Sequence, residues 1–140
     1  GDPEVRDMVR CVQLAGCTID FDNRTSYTAN RVNAVSTAYA VYKEVGHDNF
    51  INILDILRRA FFGDQQGFQD GFLKGMKYLF KHYSNKITIK QMVTALQKQP
   101  ADYYRQKANQ FDGSAQVRYA KKFVEQYNKG RRTNRIDLKE

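Results

Sequence analysis

Cys11 and Cys17 are the chain's two cysteines. Their spacing is neither C-x-x-C nor a zinc-finger pattern, and no further cysteine completes one. They read as small buried thiols in a reducing compartment rather than as a redox pair. The two histidines, His47 and His82, lie far apart in sequence. His47 falls between Gly46 and Asp48, in a turn. His82 falls near a helix end, where a cation suits the dipole. Neither has sequence neighbours that look like metal ligands, so no metal and no cofactor is expected. Carboxylates come in pairs, Asp20/Asp22 and Asp64/Asp70. Asp20 and Asp22 point to one side of a strand, as a metal or acid–base site requires, with Arg24 close behind. Flanking a turn, they read first as turn residues. The chain holds no P-loop, dinucleotide fingerprint, H-E-x-x-H or nucleophile elbow. No catalytic residue is expected.

The basic residues carry more weight. The net charge of +8 is unevenly spread. Residues 1–70 hold 7 Lys/Arg and 10 Asp/Glu, whereas residues 71–140 hold 16 Lys/Arg and 5 Asp/Glu. Such asymmetry points to a polyanionic partner. Between Gly71 and Ala101 there are six lysines and no carboxylate. A solvated helix face usually mixes signs, so this stretch carries a positive potential that counterions or a polyanion must neutralise. Lys74, Lys77 and Lys81 fall opposite an apolar stripe on one helix. Arg118, Lys121 and Lys122 fall opposite Ala120, Phe123, Val124 and Tyr127 on another. Lys129, Arg131, Arg132 and Arg135 follow in a polar C-terminal segment of the kind that contacts phosphates. Singly, each lysine is an ordinary solvated residue; together they form a candidate nucleic-acid-binding set. Tyr103, Tyr104 and Tyr119 could stack on unpaired bases.

The elements that must position these residues are mainly helical. Asp2 and Pro3 read as an N-cap and first helical position, opening a helix that Gly16 ends. Residues 17–21 alternate like a strand, residues 22–26 have turn chemistry, and residues 31–35 could return as the second strand of a small β-hairpin. A helix capped by Ser36 then runs to Gly46. Asp48 caps a third, with Phe50, Ile53, Leu54, Leu57 and Phe61 as its stripe. A fourth spans residues 67–83, with Phe72, Met76, Leu79, Phe80 and Tyr83 on one face. Gly67, Gly71 and Gly75 line one side of it. Interior glycines cost about 0.5–1 kcal/mol each, so this alignment predicts close packing against another helix, the third. Thr88 and Gln91 form a capping box for a fifth helix. A sixth follows Pro100, and Ser114 caps a seventh that ends near Asn128. The expectation is a mainly α bundle of six or seven helices: one domain over residues 1–128, then a basic tail over 129–140 too polar to pack.

At 140 residues with 41% hydrophobic side chains, the chain can build one core without staples. No run approaches a membrane span, and the acidic N-terminal residues are unlike a signal peptide. The expected compartment is the cytoplasm, with no membrane partner.

Residues 1–5, Ala15-Gly16, residues 32–35 leading to Tyr39 and Tyr42, residues 72–76 and residues 127–135 together resemble the region following the ParB-like nuclease domain of certain phage and prophage proteins. The resemblance spans nearly the whole chain. It implies an accessory helical domain of a DNA-associated protein, whose ParB/sulfiredoxin-like domain would precede these residues. That domain's Asp-Gly-x-x-Arg motif has no counterpart here: Asp112-Gly113 is followed by Arg118, two residues too far. The reading is therefore an accessory nucleic-acid-associated module, DNA rather than RNA. The rival is a protein-interaction or self-association module, its acidic first half facing a neighbour's basic second half.

Overall fold

Asp2 accepts a hydrogen bond from the Glu4 backbone N–H at 2.8 Å, and Pro3 opens the first helix, α1 (Pro3–Leu14). This is the cap that the sequence predicts. The computed structural model describes residues 2–21 and 29–139. After α1 come β1 (Thr18–Ile19), β2 (Arg31–Val32), α2 (Val35–Val45), α3 (His47–Ala60) and α4 (Asp70–Tyr83). A 3-10 turn (Ser84–Lys86) leads to α5 (Ile89–Leu96) and α6 (Ala101–Lys107), and a second (Ala108–Gln110) to α7 (Ala115–Asn128). The mainly α expectation holds. Among the described residues, no helix is long and apolar enough to cross a membrane.

The two strands are not a hairpin. They pair in parallel, Thr18 with Arg31 and Ile19 with Val32. A hairpin needs a tight reversal, whereas a parallel pair needs a connection long enough to bring the chain back to its starting end. Residues 20–30 supply that length. The turn expected at residues 22–26 lies outside the described residues, as do Asp22 and Arg24. α2 begins at Val35, one residue before the expected Ser36 cap, and no side chain caps it. Gly46 alone separates α2 from α3, at φ +87°. A residue with a Cβ resists that left-handed angle. The tight junction makes His47, expected in a turn, the first residue of α3, with Asp48 inside the first turn rather than at the cap.

The core centres on Phe72, fully buried. The rings of Phe61, Tyr104, Tyr119 and Phe123 surround it at centroid distances of 5.2 to 6.4 Å. Edge-on aromatic pairs of this kind add about 0.5–1.5 kcal/mol each beyond burial. The glycine stripe packs against α7, not the expected third helix. A Cβ on Gly75 would lie 2.7 Å from Tyr119 Cβ and 3.2 Å from the Ala120 nitrogen, and one on Gly71 would collide with the Tyr119 ring. Gly67 lies before α4 and packs on Phe61. Thus α4 and α7 form the most extensive helix pair, because two missing side chains let the backbones close.

The C-terminal segment is not a free tail. Ile136 is buried among the core residues. The buried Asn128 side chain donates to the Ile136 carbonyl at 2.8 Å and accepts from its N–H at 2.9 Å. Tyr83 Oη accepts from the Lys139 N–H at 2.8 Å. Ile136, the half-buried Leu138 and one bifunctional amide dock an otherwise polar strip.

Candidate nucleic-acid interface

The ten expected contact residues divide into three groups. Lys74, Lys81 and Lys122 are neutralised by carboxylates. Lys74 Nζ lies 2.8 Å from Asp70, one turn earlier on α4. Lys81 Nζ lies 2.7 Å from Glu44 on α2. That ammonium holds the Glu44 carboxyl below the usual range, with Lys77 adding a weaker field. Lys122 Nζ lies 2.5 Å from Glu125 and 4.9 Å from the centre of the Tyr103 ring. Lys122 is buried, 3% exposed, and so is not on a solvated face. Burial pulls its pKa down, but the bonds to Glu125 and Tyr103 outweigh that and leave it raised.

Lys77, Arg118 and Lys121 are half-buried. Lys77 lines a small apolar recess between α2 and α4 with Thr37, Ala40 and Val41. Arg118 donates to Asn109 Oδ1 at 3.3 Å; its buried Nε has no hydrogen-bond partner among the described residues.

The third group stands together. Arg131 donates from Nε to the Tyr127 carbonyl at 2.8 Å and from Nη1 to Gln91 Oε1 at 3.1 Å, with its guanidinium 4.2 Å above the Tyr127 ring. Arg135 Nη1 donates to the carbonyls of Asn128 and Arg131 at 3.1 and 2.9 Å. The Tyr127 and Asn128 carbonyls end α7, where cations suit the helix dipole. Carbonyl partners fix the arginines without cancelling their charge. A guanidinium has five N–H donors, and Arg135 Nη1 supplies both of these bonds.

Arg135 lines two clefts. One, of about 360 Å³, is completed by Asn85, Lys86, Thr88 and Asn134. The other, of about 370 Å³, holds Tyr103, Glu125, Gln126, Asn128, Lys129 and Gly130. Lys86, Lys90, Lys129, Arg132 and Arg135 are all exposed. Sequence reasoning placed Lys86 and Lys90 in the acid-free stretch without selecting them; the fold sets Lys86 in the same cleft as Arg135. Asn134 turns that wall at φ +55°, a conformation Asn tolerates better than most residues. Gln91 is not half of a capping box: Thr88 makes no side-chain cap bond, and Gln91 accepts from Arg131 and from Tyr127 Oη at 3.3 Å. Of the tyrosines expected to stack on bases, Tyr104 is fully buried, donating to the Leu96 carbonyl at 2.6 Å. Tyr119 packs on Gly71 and Gly75. Tyr103 is half-buried at the second cleft.

Of the expected carboxylate pairs, Asp22 lies outside the described residues, and Asp20, Asp64 and Asp70 each have partners of their own. Asp20 accepts from Arg31 at 3.1 Å across the two strands, and Asp64 caps the Gln66 N–H at 2.8 Å. Cys11 and Cys17 are both free and buried; burial first of all pushes their thiols up to about 11 and about 12. His47, however, does have partners of metal-ligand type. Its Nδ1 lies 3.0 Å from both Asp7 carboxylate oxygens and 3.4 Å from Cys11 Sγ. The sequence signal was the i, i+4 spacing of Asp7 and Cys11, which stacks them on one face of α1. The trio is not a nucleophilic relay. In a relay the thiol and the carboxylate use different ring nitrogens; here both face Nδ1.

No curated protein and no solved structure matches the chain. A family described as a family of unknown function, DUF6551, matches residues 1–140. With the match running the whole length of the fold, from the Asp2 cap through the docked C-terminal strip, the chain belongs to the DUF6551 family.

Proposed function

We propose that the chain is an accessory nucleic-acid-binding module, for DNA rather than RNA, that grips phosphates along the edge where the C-terminal strip crosses the start of α5. The observation that carries this is the shared cleft of Lys86 and Arg135, rimmed by Asn85, Thr88 and Asn134. Two cations and three neutral polar side chains line it, and no carboxylate does. Lys90, Arg131 and Arg132 extend the positive edge. Contacts of this kind bind the backbone without reading sequence. The likeness to the region behind ParB-like nuclease domains fits the same role, a helical attachment that brings DNA to another domain. Binding to duplex and single-stranded DNA across a salt series tests it. Affinity should fall with a log–log slope of about −0.9 per phosphate neutralised on duplex. No binding at low salt removes the proposal.

The alternative is a protein-interaction or self-association module. Phe62 and Leu14, exposed at 75% and 63%, are the large apolar side chains that such a contact would take out of water. Concentration-dependent dimerisation in light scattering, without DNA affinity, would select it.

A further inference from the structure

We propose that Asp7, Cys11 and His47 form a binding site for one divalent transition-metal ion of zinc type. The proposal is independent of the nucleic-acid reading, and the trio lies at the junction of α1 with the α2–α3 turn.

Geometry comes first. One donor atom from each residue lies within 4.8 Å of the other two. Cys11 Sγ to His47 Nδ1 is 3.4 Å, and His47 Nδ1 to Asp7 is 3.0 Å. Tetrahedral zinc with its usual bond lengths sets sulfur–nitrogen and nitrogen–oxygen edges of about 3.4–3.6 Å. The sulfur–nitrogen edge already fits, the nitrogen–oxygen edge must open by about 0.4 Å, and the sulfur–oxygen edge, within 4.8 Å, must settle to the same length.

The second argument is that the three ligand-type atoms converge on one point. A single ring nitrogen faces two carboxylate oxygens and a sulfur. With a proton on Nδ1, it donates to Asp7, and the thiol is left with the His47 carbonyl at a long 3.9 Å. Without that proton, its lone pair points at carboxylate lone pairs. A cation at the centre would engage the nitrogen, the sulfur and a carboxylate oxygen at once. On binding, the Cys11 thiol releases its proton to solvent, the thiolate and the neutral imidazole each donate a lone pair, and Asp7 supplies an oxygen. One dication with one thiolate and one carboxylate sums to zero charge, which suits a site whose sulfur is fully buried.

The third argument is the outer support. Tyr42 Oη donates to Asp7 Oδ2 at 2.6 Å. Tyr42 is itself held edge-on by Phe50 at 5.8 Å. Hydrogen bonds of this kind orient ligating carboxylates in metal sites. Thiolate and imidazole together select zinc over magnesium or calcium. Three protein ligands leave the fourth position to water, on the side where the His47 and Asp7 side chains are 40% and 31% exposed.

The test is titration of the chelator-stripped, reduced full chain with Co²⁺, then Zn²⁺. The expected result is one equivalent bound, with visible d–d bands of tetrahedral intensity, a thiolate-to-cobalt charge-transfer band, and displacement of both by zinc. Cys11→Ser should abolish the charge-transfer band, and Cys17→Ser should leave it intact. Asp7→Asn, at a partly exposed position, reports on the site if Cys11→Ser does not fold, and should weaken binding at least tenfold. Tyr42→Phe should weaken it about tenfold, as loss of an outer-shell partner does. Weak octahedral bands overturn the proposal. So does a charge-transfer band that survives Cys11→Ser or disappears with Cys17→Ser, or an affinity that Asp7→Asn leaves unchanged.

Discussion

On α4, Lys74 and Lys81 sit against Asp70 and Glu44 at 2.8 and 2.7 Å; behind α7, Arg131 and Arg135 sit against backbone carbonyls at 2.8 to 3.1 Å. Both regions belong to the basic half of the chain. A carboxylate partner cancels a cation's field beyond a few ångströms, so Lys74 and Lys81 add little positive potential outside α4. A carbonyl partner orients the cation and leaves its charge in place. The two regions differ in what binds the cation rather than in how many cations they hold. A surface suited to phosphates would immobilise positive charge with neutral acceptors, and of these two regions the C-terminal edge does so.

The largest expected effect breaks that comparison directly. Lys86→Ala, Arg132→Ala and Arg135→Ala combined should make the salt slope of DNA binding shallower by about 3 units, roughly one per lost phosphate contact. Affinity should fall for every sequence alike. Lys74→Ala and Lys122→Ala combined should leave the slope nearly unchanged. If the second pair flattens the slope as much as the first set, the carboxylate partners do not silence those lysines and the division is wrong.

Asn128→Ala acts on the same edge from beneath. Its amide satisfies both backbone groups of the buried Ile136. Leaving two buried polar groups without partners costs about 2 kcal/mol or more, measurable by urea denaturation. Because Arg131 and Arg135 lean on the end of α7, the loosened strip should also lose DNA affinity without losing a charge. Full stability in Asn128→Ala would mean that the strip is held without the Asn128 amide, by apolar burial and its other hydrogen bonds.

The helices were legible because their apolar stripes repeat at helical spacing, and α3 and α4 bury the residues that this spacing selects, apart from the half-buried Tyr83. Strand direction was not, since alternation is the same in parallel and antiparallel pairs. The glycines at 71 and 75 announced a close approach, but only the fold says that α7 is the partner. Lys122 misled because the solvent-facing side of α7 is narrow near its C-terminal end: Glu125 is exposed, whereas Lys122, Phe123, Val124, Gln126, Tyr127 and Asn128 are all buried. Gln91 misled because a local capping pattern lost to a distant arginine. Pairing was the hardest part: Lys81 and Glu44 are 37 residues apart, and His47 is 36 from Cys11 and 40 from Asp7. Residue types mark which side chains could act; only tertiary contact decides which charges remain free and which ligands meet.

The smallest effect sharpens the comparison by converting one region toward the other. Glu44→Gln removes the carboxylate that neutralises Lys81, in the last turn of α4 and five residues before Lys86. A freed ammonium there should steepen the salt slope of DNA binding by less than one unit. The stability change should be slight, because exposed ion pairs contribute little. Its pH dependence has a fixed sign. The Lys81 ammonium holds the Glu44 carboxyl below the usual range, so the pair stabilises the fold at pH values above the ordinary carboxylate pKa. That contribution is lost as pH falls through the depressed value. The melting temperatures of wild type and Glu44→Gln should therefore differ at neutral pH and converge in acid, below the usual carboxylate range. A steeper slope would show that neutralisation keeps Lys81 out of the interface; an unchanged slope would show that its position on α4 does.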